Sequence, residues 1–183
     1  VTDRITLSEG LDVTSTLQAL INANPQTTLY FPDGEYLISD TLKTSANPKK
    51  SVSFVFSDGA VLKADPKKFP EGKPLISFGG AEAFNNVTTP GSNYGLEGGI
   101  LDCSGIANGI EIASGRETAV RHCLIRNAVI GIDLRRGANS GSADADISDL
   151  RIVGNDTPAS VGIYCEASDN TFSNIRISHA TVG

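Results

Sequence analysis

The sequence has no methionine, few cysteines and no long apolar run. Without a methionine even at position 1, we expect a mature or excised segment, and the sequence leaves open whether a leader has been removed. Apolar runs fall well short of the roughly eighteen residues that a bilayer crossing needs, so no membrane partner is predicted. Fifteen basic residues against 21 acidic ones leave a net charge of -6, which argues against nucleic acid as a partner.

The three cysteines, Cys103, Cys123 and Cys165, cannot all pair with one another, and their spacing fits no zinc or redox motif. Cys123 and Cys165 stand where Ile or Leu stands in the repeated patterns described below. We therefore expect both to be small buried hydrophobic residues. A disulfide needs Cβ atoms within about 4.5 Å, and the sequence leaves that question open.

Two interleaved patterns each occur three times in the second half of the chain. The first pattern is glycine, apolar, polar or amphipathic, apolar, and it occurs as Gly109-Ile-Glu-Ile112, Gly131-Ile-Asp-Leu134 and Gly162-Ile-Tyr-Cys165. The second occurs as Val120-Arg-His-Cys-Leu-Ile125, Ile147-Ser-Asp-Leu-Arg-Ile152 and Phe172-Ser-Asn-Ile-Arg-Ile177. Repetition at roughly 20 to 30 residues indicates stacked supersecondary units, and alternation at every second residue indicates strands with one buried face.

The repeats predict an all-β fold in which coils of short strands stack as a parallel β-helix, a solenoid. Aligning the coils predicts three inward apolar ladders. They are Val120, Ile147 and Phe172; Cys123, Leu150 and Ile175; and Ile125, Ile152 and Ile177.

An amphipathic helix is predicted from Asp12 to Asn22, with Asp12 or Ser15 as its N-cap and Asn24-Pro25 ending it. Such a helix would cover the apolar cross-section and unpaired edge of the first coil. We therefore assign residues 1–26 to a lead-in and helical cap, and residues 27–183 to one domain of coils. The pattern runs to Gly183 without a capping segment, so we expect additional C-terminal coils or a partner subunit, as in a homotrimer.

Residues 12–38 carry the most specific signal in the chain. Asp12-x-Thr14-x-x-Leu17-Gln18-x-x-Ile21, followed by Leu29-Tyr-Phe-Pro-Asp-Gly-Glu-Tyr-Leu-Ile38, resembles the opening of the pectate-lyase-like superfamily of right-handed parallel β-helices. That superfamily includes polysaccharide lyases, glycoside hydrolases and phage tailspikes. The resemblance implies a right-handed β-helix, an extracellular polysaccharide as ligand, and a secreted, cell-surface or virion-surface location.

The chain also departs from the superfamily. Many members carry Gly-Asp-Gly-x-x-Asp-Asp before the helix, and here that stretch is reduced to Glu9-Gly-Leu-Asp12. The polygalacturonase-like branch carries Asn-x-Asp, Asp-Asp, Gly-His-Gly and Arg-x-Lys on successive coils, and this sequence has none of the four. No catalytic residue can therefore be carried over from that branch.

Outward positions of the first pattern supply the candidate catalytic residues. Glu111 and Asp133 lie one coil apart, so their backbones should be about 5 Å apart. A retaining glycosidase uses two carboxyl groups separated by about 5 to 5.5 Å. Tyr164 extends the row as a platform for a sugar ring, and Arg135 is the catalytic candidate among the arginines. The alternative is a solvated surface row bridged by Arg135.

A second outward row holds Arg151 and Arg176, which are candidate substrate-binding residues because arginine binds carboxylates bidentately. In a polysaccharide lyase, an arginine would act as the base that takes a proton next to a uronate. The alternative is that these arginines only neutralise acidic neighbours.

Two further groups have open interpretations. His122, Asp149 and Asn174 share one register at the bend of the coil, where a histidine is either a hydrogen-bonded turn residue or a base. Asp144, Asp146 and Asp149 are a candidate Ca²⁺ site, since Ca²⁺ takes several oxygen ligands. No other metal or cofactor is indicated.

The sequence thus predicts a carbohydrate-active β-helix that binds or cleaves an extracellular polysaccharide, as a lyase or a glycoside hydrolase. The alternative is a non-catalytic structural or receptor-binding β-helix, such as part of a phage tailspike or a surface adhesin. The missing motifs leave enzymatic activity undecided.

Overall fold

The computed structural model describes residues 10–81, 95–134 and 141–183. In these ranges the protein is mostly β, with one α-helix, α1 (Thr14–Ala23), and a short 3-10 helix at Pro48–Lys50. No helix in the described ranges is long and apolar enough to cross a membrane. The predicted all-β fold with one short helix ahead of the strands is confirmed.

Most strands belong to one curled sheet, sheet A, which has two arms. The first arm consists of β1 (Thr27–Phe31), β4 (Val52–Phe56), β7 (Gly95–Glu97) and β11 (Ala119–Arg121). The second arm consists of β2 (Gly34–Ile38), β5 (Ala60–Ala64), β8 (Ile100–Asp102) and β12 (Leu124–Ala128). The longer strands β15 (Asp146–Gly154) and β17 (Thr171–Ser178) run along both arms and join them at a bend.

The remaining strands form two separate sheets. Sheet B consists of β3 (Leu42–Lys43), β6 (Pro74–Phe78), β9 (Asn108–Ile112), β13 (Ile130–Leu134) and β16 (Val161–Cys165). A small sheet pairs β10 (Ser114–Arg116) with β14 (Gly141–Ala143). Every strand pair in the described ranges is parallel, and each strand pairs with its counterpart one repeat away rather than with the strand that follows it.

Apolar side chains stack in register between these strands. Val120 pairs with Ile147 and Ile147 with Phe172, and the same holds for Ile125, Ile152 and Ile177. On sheet B, the apolar residues after the repeated glycines, Ile110, Ile132 and Ile163, are aligned as well. The predicted register of the two patterns is therefore confirmed, because a period-two pattern with one buried face permits only one register. Phe172, on β17, is 39 % exposed, so the prediction that it is buried was wrong.

The repeated glycines make room for isoleucines of the other pattern. A Cβ atom added to Gly162 would lie 2.7 Å from both Cδ1 and Cγ2 of Ile177. A Cβ atom on Gly131 would lie 2.5 Å from Ile152 Cγ2 and 2.5 Å from the backbone oxygen of Gly162. Each of these glycines, in the first pattern, is thus a socket for the isoleucine that ends the following copy of the second pattern. This contact explains why the two patterns occur together.

The helix lies against the first strand of sheet B. Leu17 and Ile21, one turn apart, are buried. Gln18 donates from Nε2 to the backbone oxygen of Lys43 at 2.9 Å and accepts from its backbone nitrogen at 2.8 Å. Gln18 therefore satisfies the edge of β3. At the helix N-terminus, Asp12 Oδ1 accepts a hydrogen bond from the backbone nitrogen of Thr14 at 3.0 Å, as predicted for Asp12, whereas Val13, which directly precedes the helix, makes no side-chain cap.

The cysteines differ in burial. Cys103 and Cys123 are buried, and burial raises the pKa of the Cys123 thiol to about 12. Cys165 is exposed, so the prediction that it is buried was wrong. Its strand, β16, is the outermost strand of sheet B in the described ranges, so it has a neighbouring strand on one side only. All three cysteines are free thiols.

Candidate functional site

The predicted catalytic residues form a straight row on sheet B. Register places Ser77 beside Glu111, Glu111 beside Asp133, and Asp133 beside Tyr164. We call Ser77, Glu111, Asp133 and Tyr164 the carboxylate row. Adjacent strands lie about 4.8 Å apart, so the two carboxylates have the predicted backbone separation. Arg135, the third predicted catalytic residue, lies outside the described residues.

The carboxylate row is more enclosed than the sequence suggested. Ser77 Oγ donates a hydrogen bond to Glu111 Oε2 at 2.5 Å. The exposed fraction of Asp133 is only 7 %, so its expected exposure to solvent was wrong. Alternation along a strand sets the direction of a side chain, but it does not say what covers that side chain. Tyr164 is 37 % exposed, and its hydroxyl donates to Glu166 Oε1 at 2.7 Å.

At the bend of sheet A, three polar residues stack in the left-handed backbone conformation. They are His122 (φ 54°), Asp149 (φ 56°) and Asn174 (φ 49°), at equivalent positions of successive repeats. Asn and Asp, and to a lesser degree His, are the non-glycine residues that adopt this conformation most readily. The predicted shared register of the three is therefore confirmed, and the conformation explains the choice of residues.

The side chains of this stack contact one another. Asn174 Nδ2 donates to Asp149 Oδ1 at 2.5 Å. The other oxygen of Asp149, Oδ2, lies 3.5 Å from His122 Nε2, and His122 Nδ1 lies 3.7 Å from Glu97 Oε1. His122 thus stands between two carboxylates, while both oxygens of Asp149 face polar neighbours.

A groove of about 540 Å³ runs along the outside of the bend. We call it the bend groove; it is lined by Asp58, Gly99, Ile100, His122, Cys123, Leu124, Asp149, Leu150, Arg151, Asn174 and Arg176. Ile100, Leu124, Arg151 and Arg176 occupy one column across the second arm, the two aliphatic residues half-buried and the two arginines exposed. The groove therefore has an aliphatic floor that leads to two adjacent guanidinium groups.

These two arginines differ from the others in the described ranges. Arg116 pairs with Asp144 at 2.6 Å, Arg121 pairs with Asp146, and Arg126 Nη2 lies 2.9 Å from Asp102 Oδ2. Arg151 and Arg176 have no ion-pair partner among the described residues. Their charges are therefore available to an external anion, whereas the other three arginines neutralise acidic neighbours.

The candidate Ca²⁺ site is not assembled. Asp144 and Asp146 each pair with an arginine, and Asp149 faces His122 and Asn174. In the described part of the chain, no group of three or more His, Cys, Asp or Glu residues could hold a metal ion. The predicted grouping of the three aspartates was wrong. Asp144 and Asp149 have left-handed backbones and Asp146 does not, and each of the three carboxylates has different partners.

A second groove, of about 600 Å³, separates the helix from β3. Its polar groups are largely satisfied within the protein. Asp12 Oδ1 accepts from Thr14 Oγ1 at 2.6 Å, Ser39 N donates to Thr14 Oγ1 at 2.7 Å, and Gln18 bonds the backbone of Lys43. It therefore offers fewer free polar groups to a ligand than the bend groove does.

No protein-family model and no curated protein sequence matches the chain. Among solved structures, the chain has a fold similar to that of ORF18 of Geobacillus virus E2, with a TM-score of 0.55 and 14 % sequence identity. The similarity covers 91 % of this chain and 38 % of the viral chain, so this chain spans well under half of the length of that protein. At this identity the likeness concerns the fold alone.

Proposed function

We propose that this chain is a right-handed parallel β-helix of the pectate-lyase-like kind that binds an acidic extracellular polysaccharide in its bend groove. Parallel pairing of strands one repeat apart and the sequence resemblance over residues 12–38 support the fold. The location that follows from such a ligand is secreted, or on a cell or virion surface.

The observation that carries the binding proposal is a pair of exposed arginines in adjacent register that have no ion-pair partner among the residues the structure describes. Arg151 and Arg176 stand side by side on β15 and β17, about 4.8 Å apart at the backbone. Two guanidinium groups at this spacing suit the carboxylates of neighbouring sugar units, because each arginine binds a carboxylate bidentately. If this surface bound no anion, the two positive charges would stand side by side with no negative partner among the described residues.

The aliphatic floor supports a sugar chain rather than a free small anion. Ile100 and Leu124 are half-buried and continue the arginine column along the groove. Sugar rings present apolar C–H faces, which can pack on such a floor while their carboxylates reach the arginines. Binding sites commonly combine an apolar surface with a few placed polar groups in this way.

The test is binding to immobilised polygalacturonate, alginate and hyaluronate, with dextran as the uncharged control. We expect binding to at least one acidic polymer and none to dextran. Arg151→Gln and Arg176→Gln should each weaken that binding about tenfold or more, since a hydrogen bond to a charged group contributes about 1.5 to 3 kcal/mol.

Arg121→Gln is the matched control, because it removes the same charge from an arginine that is paired with Asp146. It should change affinity less than about threefold, as expected for an exposed, already paired charge. Equal losses in the three variants would show a general charge effect, and no binding to any acidic polymer would refute the proposal.

A second candidate is a non-catalytic structural or receptor-binding segment of a phage spike. The fold similarity to a protein of Geobacillus virus E2 favours it. Such a spike is expected to be a homotrimer, so molar mass by light scattering separates the candidates. A trimer that binds none of the acidic polymers would favour the spike, and a monomer would count against it.

A further inference from the structure

Asp149 is a potential competitor for the ligand of the bend groove. It lines the same groove as Arg151 and lies two residues away from it on β15. A carboxylate at this place could pair with the arginines, as aspartates do with Arg116 and Arg126 elsewhere in the protein. Instead, Asp149 faces His122 and Asn174, and Arg151 has no ion-pair partner among the described residues.

Both oxygens of Asp149 have a polar neighbour other than the two arginines. Oδ1 accepts from Asn174 Nδ2 at 2.5 Å, and Oδ2 lies 3.5 Å from His122 Nε2. The left-handed backbone of all three residues fixes their stacking at the bend, so this contact does not depend on a mobile loop. The hold on Oδ2 depends on the charge of His122, because a neutral imidazole attracts a carboxylate far less than an imidazolium does.

We infer that His122 and Asn174 are positioning residues that keep Asp149 off Arg151 and Arg176, so that the bend groove accepts acidic sugars more tightly in mildly acidic solution than in mildly alkaline solution. The inference rests on the proposed polysaccharide binding and adds a determinant to the same site.

The charged groups around His122 set the sign of the effect. Glu97 faces its Nδ1 from β7 and Asp149 faces its Nε2 from β15, while Asp58, Arg151 and Arg176 line the same groove. Histidine is the side chain that changes charge between about pH 5 and pH 8. When His122 is protonated it binds Asp149 and adds a positive charge. When it is neutral, Asp149 is released toward the arginines and lowers their affinity for an anion.

The experiment measures affinity for whichever immobilised acidic polymer binds, at about pH 5.5 and about pH 8 and at constant ionic strength. Uronate carboxylates stay ionised at both values, so the ligand does not change charge. The wild-type protein should bind about threefold to fivefold more tightly at the lower pH, in keeping with a partly exposed charge interaction.

Two substitutions suit the left-handed positions, because asparagine adopts that conformation readily. His122→Asn should remove the pH dependence and leave affinity at the weak, high-pH level. Asp149→Asn should also remove most of the pH dependence, but it should leave affinity at the tight, low-pH level. The double variant His122→Asn with Asp149→Asn should bind as tightly as Asp149→Asn alone.

Non-additivity of the two substitutions is the decisive result. If Asp149 competes for the arginines, Asp149→Asn should improve affinity at pH 5.5 much more in the His122→Asn background than in the wild type. Equal effects in the two backgrounds would mean simple charge repulsion and would overturn the inference, as would a wild type whose affinity is the same at both pH values. Absence of binding at both values would instead refute the proposed function itself.

Discussion

The carboxylate row and the bend groove are both outward features aligned across neighbouring strands, yet their charges face different surroundings. In the row, Glu111 accepts a 2.5 Å hydrogen bond from Ser77, and Asp133 is 7 % exposed. In the groove, Arg151 and Arg176 are exposed and have no ion-pair partner in the described part of the chain. Charge that the protein itself satisfies contributes to structure, whereas charge left open to solvent is available to a ligand. The groove is therefore the stronger candidate for a binding site of the two.

The largest effect should come from the socket that supports both surfaces. Gly131→Ala places a Cβ atom 2.5 Å from the backbone oxygen of Gly162 and from Ile152 Cγ2, so a strand must shift. We expect a loss of about 1 to 3 kcal/mol in the free energy of unfolding, the usual cost of overpacking a core. Chemical denaturation measures it.

Gly95→Ala is the matched control, because its Cβ would meet only the side chain of Ser53, with Oγ at 3.3 Å, and the backbone oxygen of Ala119 at 3.8 Å. Its cost should be much smaller. If both substitutions had the same small effect, the core beneath the carboxylate row and the bend groove would not be tightly packed, and the two surfaces could not be said to rest on the same support.

The next largest effect on stability should come from Asp102, a carboxylate paired within the protein on the same arm of sheet A as Arg151 and Arg176. Burial raises the pKa of Asp102, but hydrogen bonds from Asn127 and Ser104 N and the ion pair with Arg126 outweigh it and hold that pKa below its usual range. The stability from a lowered carboxyl pKa is fully present above the unfolded-state value, about 3.9, and is lost as pH falls through the folded-state value. Asp102→Asn should cost about 2 kcal/mol at pH 7, by denaturation.

The cost of Asp102→Asn should shrink as pH falls below about 3.9, where the carboxyl of the unfolded wild type takes up a proton first, and it should be smallest once the pH lies below the lowered folded-state pKa. Asp169→Asn is the control, since Asp169 is exposed and substitution at such surface positions usually stays within about 0.5 kcal/mol. A pH-independent cost for Asp102→Asn would mean that its role is packing rather than charge.

A smaller effect is expected within the carboxylate row. Ser77→Ala removes the donor to Glu111 Oε2 and should cost about 1 kcal/mol in unfolding free energy. Ser173→Ala, at an exposed position of β17, should be nearly neutral. A neutral Ser77→Ala would indicate that Glu111 is solvated instead, which would make the row resemble the groove.

The smallest effect concerns ligand affinity. The double variant Glu111→Gln with Asp133→Asn should change affinity for the acidic polymer less than about twofold, since the two residues lie on sheet B and the groove lies on sheet A. The same variant tests the predicted catalytic roles of these carboxylates, through polymer chain length measured by size-exclusion chromatography. Chain shortening that persists in it would contradict those roles, and a large affinity loss would contradict the separation of the two sites.

The ladders were predictable because the sequence alternates apolar and polar residues in three aligned copies. Val120, Ile147 and Phe172 could be aligned from sequence alone, since a shift by one residue would expose every apolar side chain of the strand. The exposure of Cys165 and the burial of Asp133 could not, because both depend on what packs from outside the strand.

The sequence predicted the two sets of polar residues that line the groove, but not that they share it. His122, Asp149 and Asn174 were placed together and the two arginines were placed in a separate row. The signal that links them is a repeated offset: Arg151 follows Asp149 by two residues, and Arg176 follows Asn174 by two. Two residues along a strand return to the same face, but the left-handed residue turns its side chain at the bend, and the shared groove is evident only from the structure.

The glycine socket has a consequence for how such a chain can be altered by insertion or exchange of repeats. Gly131 lies on β13, and the Ile152 that packs against it lies on β15, one coil further along the chain. The fit between two neighbouring coils therefore depends on a residue from each. A transplanted unit would have to bring a glycine that fits the following isoleucine and an isoleucine that fits the preceding glycine. At Gly162, where the three nearest atoms to an added Cβ all belong to the Ile177 side chain, an alanine should therefore be accompanied by a smaller residue in place of Ile177.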